Sequence, residues 1–271
     1  MTNFKFIALI FFSAVTCAQD RTATPRHSFL VFDGTLYTGK PDLSLFGLKS
    51  ITIVYSSSMW GKSRDWRNPP EAGTIRAIAT RADRSTGIAV LDIENWPLTG
   101  DPSTVAASVS KYRRTIQLFK QAAPSLKVGY YGVVPVRNYW DAIGGKYSPK
   151  HREWQTWNDN ASSISDLEDI LFPSLYTFYE DQNGWRHYAL EQIAEARRLA
   201  HGKPVYVFLW PQFHDRASDY LPVNYWRMEL ETARQYADGI VIWGGAQQAW
   251  KPDAPWWLET QRFLNATVSG K

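Results

Sequence analysis

The chain has 271 residues, 44% of them hydrophobic and 21% charged, with a formal net charge of +4. That balance excludes a disordered chain, and with no long run of Lys or Arg there is no electrostatic footprint for nucleic acid. Cys17 is the only cysteine, so no internal disulfide framework can form, and stability has to come from an apolar core, which about 250 residues can build as one domain.

The first residues, MTNFKFIALIFFSAVTCAQD, give a polar start with Lys5 and an apolar run from Phe6 to Val15. Thr16 and Ala18 then stand at the −3 and −1 positions of a cut after Ala18. This is the pattern of a secretory signal peptide over residues 1–18, with an apolar part too short for a transmembrane helix. A lipoprotein cut before Cys17 is the alternative, for which Ala14-Val15-Thr16 is a poor lead-in. No later run approaches membrane-spanning length, so the expectation is an exported chain, secreted or periplasmic, with no membrane span.

Apolar, β-rich runs follow in sequence: SFLVFDG (28–34), SITIVYSSS (50–58), GIAVLDIE (87–94), LKVGYYGVV (126–134), ILFPSLYTF (170–178), PVYVFLW (204–210) and GIVIWGG (239–245). Most are apolar at successive positions, as parallel strands covered on both faces are. Helical spacing lies between them. Val105, Val109, Tyr112, Ile116 and Phe119 repeat within Pro102 to Ala123; Leu190, Ile193, Ala194 and Leu199 repeat within Tyr188 to Ala200, which ends at the helix stop HGKP. Tyr225 to Tyr236 leads into the last strand. This alternation predicts an α/β fold, with residues 19–271 forming a single distorted TIM-like barrel of about seven to eight parallel strands.

GIAVLDIENWP (87–97) carries the chemistry. Side chains alternate along a strand, so Asp92 and Glu94 point one way while Leu91 and Ile93 point the other. Pro97 stops the ladder, which puts the pair at the carboxyl end of its strand, where α/β barrels build their active sites. A solvated acidic strand end fits the same pattern equally well. Other strand ends finish in aromatic or polar groups: Tyr130 and Tyr131, Tyr176 and Tyr179, Trp210 with Gln212 and Asp215, and Trp243. The chain holds 13 Trp, 14 Tyr and 13 Phe. An aromatic core accounts for many of these, and a cleft that stacks sugar rings accounts for the rest. The five histidines show no HExxH or paired spacing, and no glycine-rich phosphate loop or GxSxG elbow occurs. No metal and no cofactor are therefore expected.

Several of these stretches resemble the hyaluronidase-like glycoside hydrolases of the animal and venom type, whose fold is a distorted barrel of about seven strands. GIAVLDIENW is similar to that family's signature strand, VGYYGVVPVRNYW to its next strand, and LFPSLYTF to the strand that ends in an active-site tyrosine. ALEQIAEARRLA resembles its R-x-x-E-A helix, and PVYVFLWPQFHD and ADGIVIWGG its last two strands. YSSSMWGK stands where the family usually has Tyr-Asp-Pro-Gly. The chain also lacks the family's disulfides and is shorter.

The resemblance implies that Glu94 is the general acid/base and Asp92 its partner, with Tyr176 and Trp243 lining the subsite of the reacting sugar. Tyr131, Trp210 and Asp215 are further substrate-binding candidates. Tyr139 fits the tyrosine expected after GYYG if one residue is inserted. Hydrolysis would be substrate-assisted: the 2-acetamido oxygen attacks its own anomeric carbon, Asp92 orients the acetamido nitrogen, and Glu94 protonates the leaving oxygen. Repulsion between the two carboxylates would raise one pKa and keep Glu94 protonated. The expected substrate is a glycosaminoglycan-like polysaccharide and the expected enzyme a monomer. Arg137, Lys146, Arg152 and Arg186 are candidates for reading substrate charge. Another amino-sugar polymer, such as chitin or a peptidoglycan-type glycan, is the rival substrate. A non-catalytic carbohydrate-binding barrel is the rival class.

Overall fold

The computed structural model describes residues 29–269 apart from residues 64 and 147. The predicted signal peptide, residues 1–18, lies outside the described residues. Strands β1 (Leu30–Thr35), β2 (Lys49–Ser50), β3 (Thr52–Tyr55), β4 (Ile88–Asp92), β5 (Lys127–Tyr130), β6 (Tyr206–Leu209) and β7 (Gly239–Gly244) alternate with helices. The longer helices are α2 (Ala72–Ser85), α3 (Pro102–Ala122), α5 (Pro149–Ser165), α6 (Gln182–Ala200), α7 (Val223–Tyr236) and α8 (Pro255–Ser269); α1 (Ser56–Trp60) and α4 (Tyr139–Ile143) are short. Helix α3 starts as its sequence demands: Pro102 takes the first turn, and the Asp101 carboxylate accepts from Thr104 N–H.

Every ladder is parallel. β2–β1–β7–β6 form one sheet and β3–β4–β5 another. β2 and β3 are halves of one run, interrupted at Ile51, and this run joins the two sheets on one side. On the other side the segment 170–178 lies between β5 and β6, with Tyr131 opposite Phe172, Leu171 opposite Val205 and Ser174 opposite Phe208. Pairings therefore run right round a distorted TIM-like barrel. The predicted strand ILFPSLYTF makes only isolated bridges because Pro173 has no N–H for the ladder. Gly129 is the close approach at this seam, since a Cβ there would collide with Ile170 O and the Phe172 ring. The predicted strand SITIVYSSS is also cut short: Tyr55 ends β3, and Ser56 opens α1.

Two apolar layers follow from the alternation of side chains. Phe32, Val90, Phe172, Tyr206, Phe208 and Val241 fill the barrel interior. Val31, Leu91, Val128, Val207 and Ile240 belong to the larger cluster between the strands and the helices. Parity thus decides which strand-end residues reach the mouth.

Candidate active site

Asp92 shares the parity of Val90 and Ile88, which belong to the interior cluster, whereas Leu91 and Ile93 pack in the outer layer. It ends β4 half-buried, in register with Tyr55 of β3. Glu94 lies two residues on, with its side chain 46% exposed. The loop that carries it is pinned from outside: the Tyr112 hydroxyl on α3 donates to Ile93 O at 3.0 Å and Trp96 O at 3.2 Å, and Trp96 Nε1 donates to Trp66 O at 2.6 Å.

Burial pushes the Asp92 carboxyl up to about 6, the neighbouring Glu94 charge adds to the rise, and Arg137 opposes it. Glu94 is the more exposed member, and the Arg137 guanidinium forms an ion pair with its Oε2. The same guanidinium reaches the Tyr131 hydroxyl at 3.4 Å and lies over the Tyr131 ring, 5.6 Å from its centre.

Aromatic rings wall the mouth on the side of β6 and β7. Tyr176 stacks on Trp243 at 5.8 Å and meets Trp210 edge-on at 5.5 Å, while Trp210 and Trp243 meet at 4.9 Å. Tyr131 lies 5.6 Å from Tyr176, and its hydroxyl shares a 3.0 Å hydrogen bond with Ser174 Oγ. Both indoles are held by their N–H groups: Trp243 donates to the Tyr55 hydroxyl at 3.0 Å, and Trp210 to Gln212 Oε1 at 3.0 Å. Burial raises the Tyr176 hydroxyl well above its ordinary value, with the neighbouring Tyr131 and then the Asp92 charge as smaller contributors.

Of the residues singled out in the sequence, Asp92, Glu94, Tyr131, Tyr176, Trp210 and Trp243 converge on this mouth. Tyr130 does not: it points outward, and its hydroxyl donates to Tyr112 O at 2.8 Å. Asp215 is exposed at the rim beside His214, whose ring meets Tyr176 at 5.9 Å. Tyr139 opens α4 and packs on Tyr188 at 5.2 Å, one layer out from Tyr131. The residue that reaches Glu94 after GYYG is Arg137. Tyr55 and His214 were missed. Tyr55 was legible, because it ends an apolar strand. His214 was not, since the loop that bears it has no period. Among the described residues, no group of three or more His, Cys, Asp or Glu is arranged to hold a metal ion, and no helix is long and apolar enough to cross a membrane.

Fold and site together define a parallel α/β barrel whose carboxyl-end mouth sets a carboxylate pair and an arginine against a wall of aromatic rings. The chain is distantly related to the hyaluronidases. It is 28% identical to a hyaluronidase of Polistes annularis and to one of Polybia paulista over 138 residues, 49% of this chain. Those alignments span 37% and 47% of the two relatives, so less than half of their length is matched. Crystal structures of bee venom hyaluronidase, one of them in complex with a hyaluronic acid tetramer, share the fold at TM-scores of 0.62 and 0.63 with 17% identity. Both cover 89% of this chain, which in turn covers 98% and 96% of theirs. No family model matches the chain.

Proposed function

We propose that the protein is an exported glycoside hydrolase that cleaves N-acetylhexosaminide bonds within a hyaluronan- or chondroitin-like polysaccharide. The observation that carries this reading is the in-phase pair Asp92 and Glu94 at a strand end, facing Tyr131, Tyr176, Trp210 and Trp243. Flat electron-rich rings stack on the C–H faces of a pyranose, and a carboxylate pair supplies acid/base chemistry beside them.

Asp92 and Glu94 approach a bound sugar from one side, so they are badly placed as acid above and nucleophile below the ring. Substrate assistance removes that difficulty. The acetamido oxygen attacks the anomeric carbon as the glycosidic bond breaks, and Glu94 gives its proton to the leaving oxygen. Asp92 accepts from the acetamido N–H and offsets the positive charge of the cyclic intermediate. Glu94 then takes a proton from water, which opens the ring with net retention. Burial of Asp92 strengthens its interaction with that charge.

Arg137 supports an acidic polymer over a neutral one. Its guanidinium stands at the mouth, paired with Glu94 Oε2 and lying over the Tyr131 ring, where a bound polymer would meet it. A uronate carboxylate in the adjoining subsite would offer the guanidinium a bidentate partner that a neutral sugar lacks. The test is to incubate the purified protein with hyaluronan, chondroitin and chito-oligosaccharides and to size the products by mass spectrometry. Internal cleavage of the acidic polymers is the expected result. Cleavage of chito-oligosaccharides alone would transfer the reading to a neutral amino-sugar polymer. Binding without cleavage of any of them would make the barrel a carbohydrate-binding module.

A further inference from the structure

Trp140 is 63% exposed and Tyr179 41% exposed, and their rings lie 5.2 Å apart at 47°. Exposing a tryptophan to this extent costs apolar burial, so its position in a built arrangement calls for a partner. The arrangement is built from below. Tyr139 meets Trp140 and Tyr179 at 5.0 Å each, and rests on buried Tyr188. Asn138 caps α4 by accepting from Asp141 N–H at 3.0 Å. The Tyr225 hydroxyl holds the Tyr179 carbonyl at 3.1 Å. Gly184, at the start of α6, leaves the space that the Tyr139 hydroxyl occupies; a Cβ there would collide with it.

This ledge is continuous with the candidate site. Tyr188 carries the path inward: its hydroxyl donates to Ser174 O at 3.2 Å, and Ser174 Oγ bonds the Tyr131 hydroxyl, which Arg137 contacts. On the second side, Tyr179 follows Phe178, whose ring lies 4.4 Å from His214. The two exposed rings are far smaller than the roughly 800 Å² per partner that a stable protein interface needs. They match the face of one or two pyranose rings.

We infer that Trp140 and Tyr179 form a distal sugar-binding subsite, which stacks a pyranose of the polymer beyond the residues flanking the cleaved bond. The inference rests on the reading of the substrate as a polysaccharide. It makes catalysis depend on chain length: an oligosaccharide long enough to reach the ledge gains a stacking contact that a shorter one lacks.

The test compares Trp140→Ala, Trp140→Phe and the unmodified enzyme on uronate-containing oligosaccharides of increasing length. Trp140→Ala should raise KM by about ten-fold for the long oligosaccharides, with a much smaller rise for the shortest one cleaved and little movement in kcat. Trp140→Phe should recover most of the loss, because it restores a flat apolar face. An equal KM change at every length, or none at any length, overturns the subsite while leaving the hydrolase reading intact. If the unmodified protein cleaves nothing, calorimetric binding of the longest oligosaccharide decides the matter. Binding that weakens in Trp140→Ala upholds the subsite without the hydrolase; binding that is absent, or equal in the two proteins, overturns the subsite too.

Discussion

Two kinds of carboxylate with raised pKa occur in this barrel, and their difference separates chemistry from architecture. Asp92 sits half-buried at the mouth at about 6, facing the aromatic wall. Glu168 is 1% exposed, and its burial pushes it further, to about 8, yet nothing can reach it. One of its oxygens accepts from Tyr130 N–H at 2.7 Å, and the other is enclosed without a partner. Glu229 on α7 is similar: buried, raised well above the ordinary value, and bonded by the Thr177 hydroxyl. Burial alone therefore shifts a pKa without making a site. The mouth carboxylates differ in having open space on one side and a cation on the other.

That comparison can be tested by moving charge in each region. The largest effect is expected for Glu94→Gln, which keeps volume and removes the proposed proton donor. Turnover should fall by several orders of magnitude while the thermal midpoint stays within the range of a surface substitution. Near-normal turnover would show that the mouth pair is architectural after all.

Asp92→Asn should follow, raising the barrier by about 2–4 kcal/mol through loss of the charge that faces the intermediate. In the unmodified enzyme, kcat/KM should decline as pH falls through about 6, because Asp92 is protonated there. The variant should lose that limb, and an unchanged pH profile would assign the limb elsewhere.

Arg137→Gln should cost about ten-fold in kcat/KM on uronate-containing polymers, with little loss on chito-oligosaccharides if the enzyme accepts them. Equal losses on both would remove Arg137 as a reader of charge.

The smallest effect on activity belongs to the architectural carboxylate, whose change appears only in stability. Glu168 keeps its proton in the folded state up to about 8, whereas the unfolded chain loses it near the ordinary 4.5. Between those values the folded state binds more protons through this group, so its contribution to stability is greatest below 4.5 and declines as pH rises towards 8, by up to about 1.4 kcal/mol per pH unit. Glu168→Gln should flatten that decline and leave activity near normal, as followed by urea denaturation across the range. A slope equal to that of the unmodified protein would place the linked proton on another group.

Much of the barrel was legible because parallel strands buried on both faces read as apolar runs: β4, β5, β6 and β7 fall within the predicted ones, and β1 overruns its own by one residue, Thr35. Helices α2, α5 and α8 were not marked out. Arginine and small polar residues dilute the apolar stripe of α2, and α5 buries His151, Asn158 and Ser165 among its apolar residues. The seam at 170–178 reads as an ordinary strand, yet the missing N–H of Pro173 and the close approach at Gly129 reduce it to isolated bridges.

At the site, the sequence by itself determined the phase of Asp92 and Glu94, because alternation along a strand is a local rule. It likewise marked Tyr131, Tyr176, Trp210 and Trp243, each at the end of an apolar run. Only the tertiary structure decided that Arg137, rather than Tyr139, meets Glu94, since the chain between β5 and α4 has no period from which to read direction. It alone separated Asp92 from Glu94 in environment, and the mouth pair from Glu168 and Glu229. Desolvation is summed over every element packed round a group, and residues distant in sequence supply most of them.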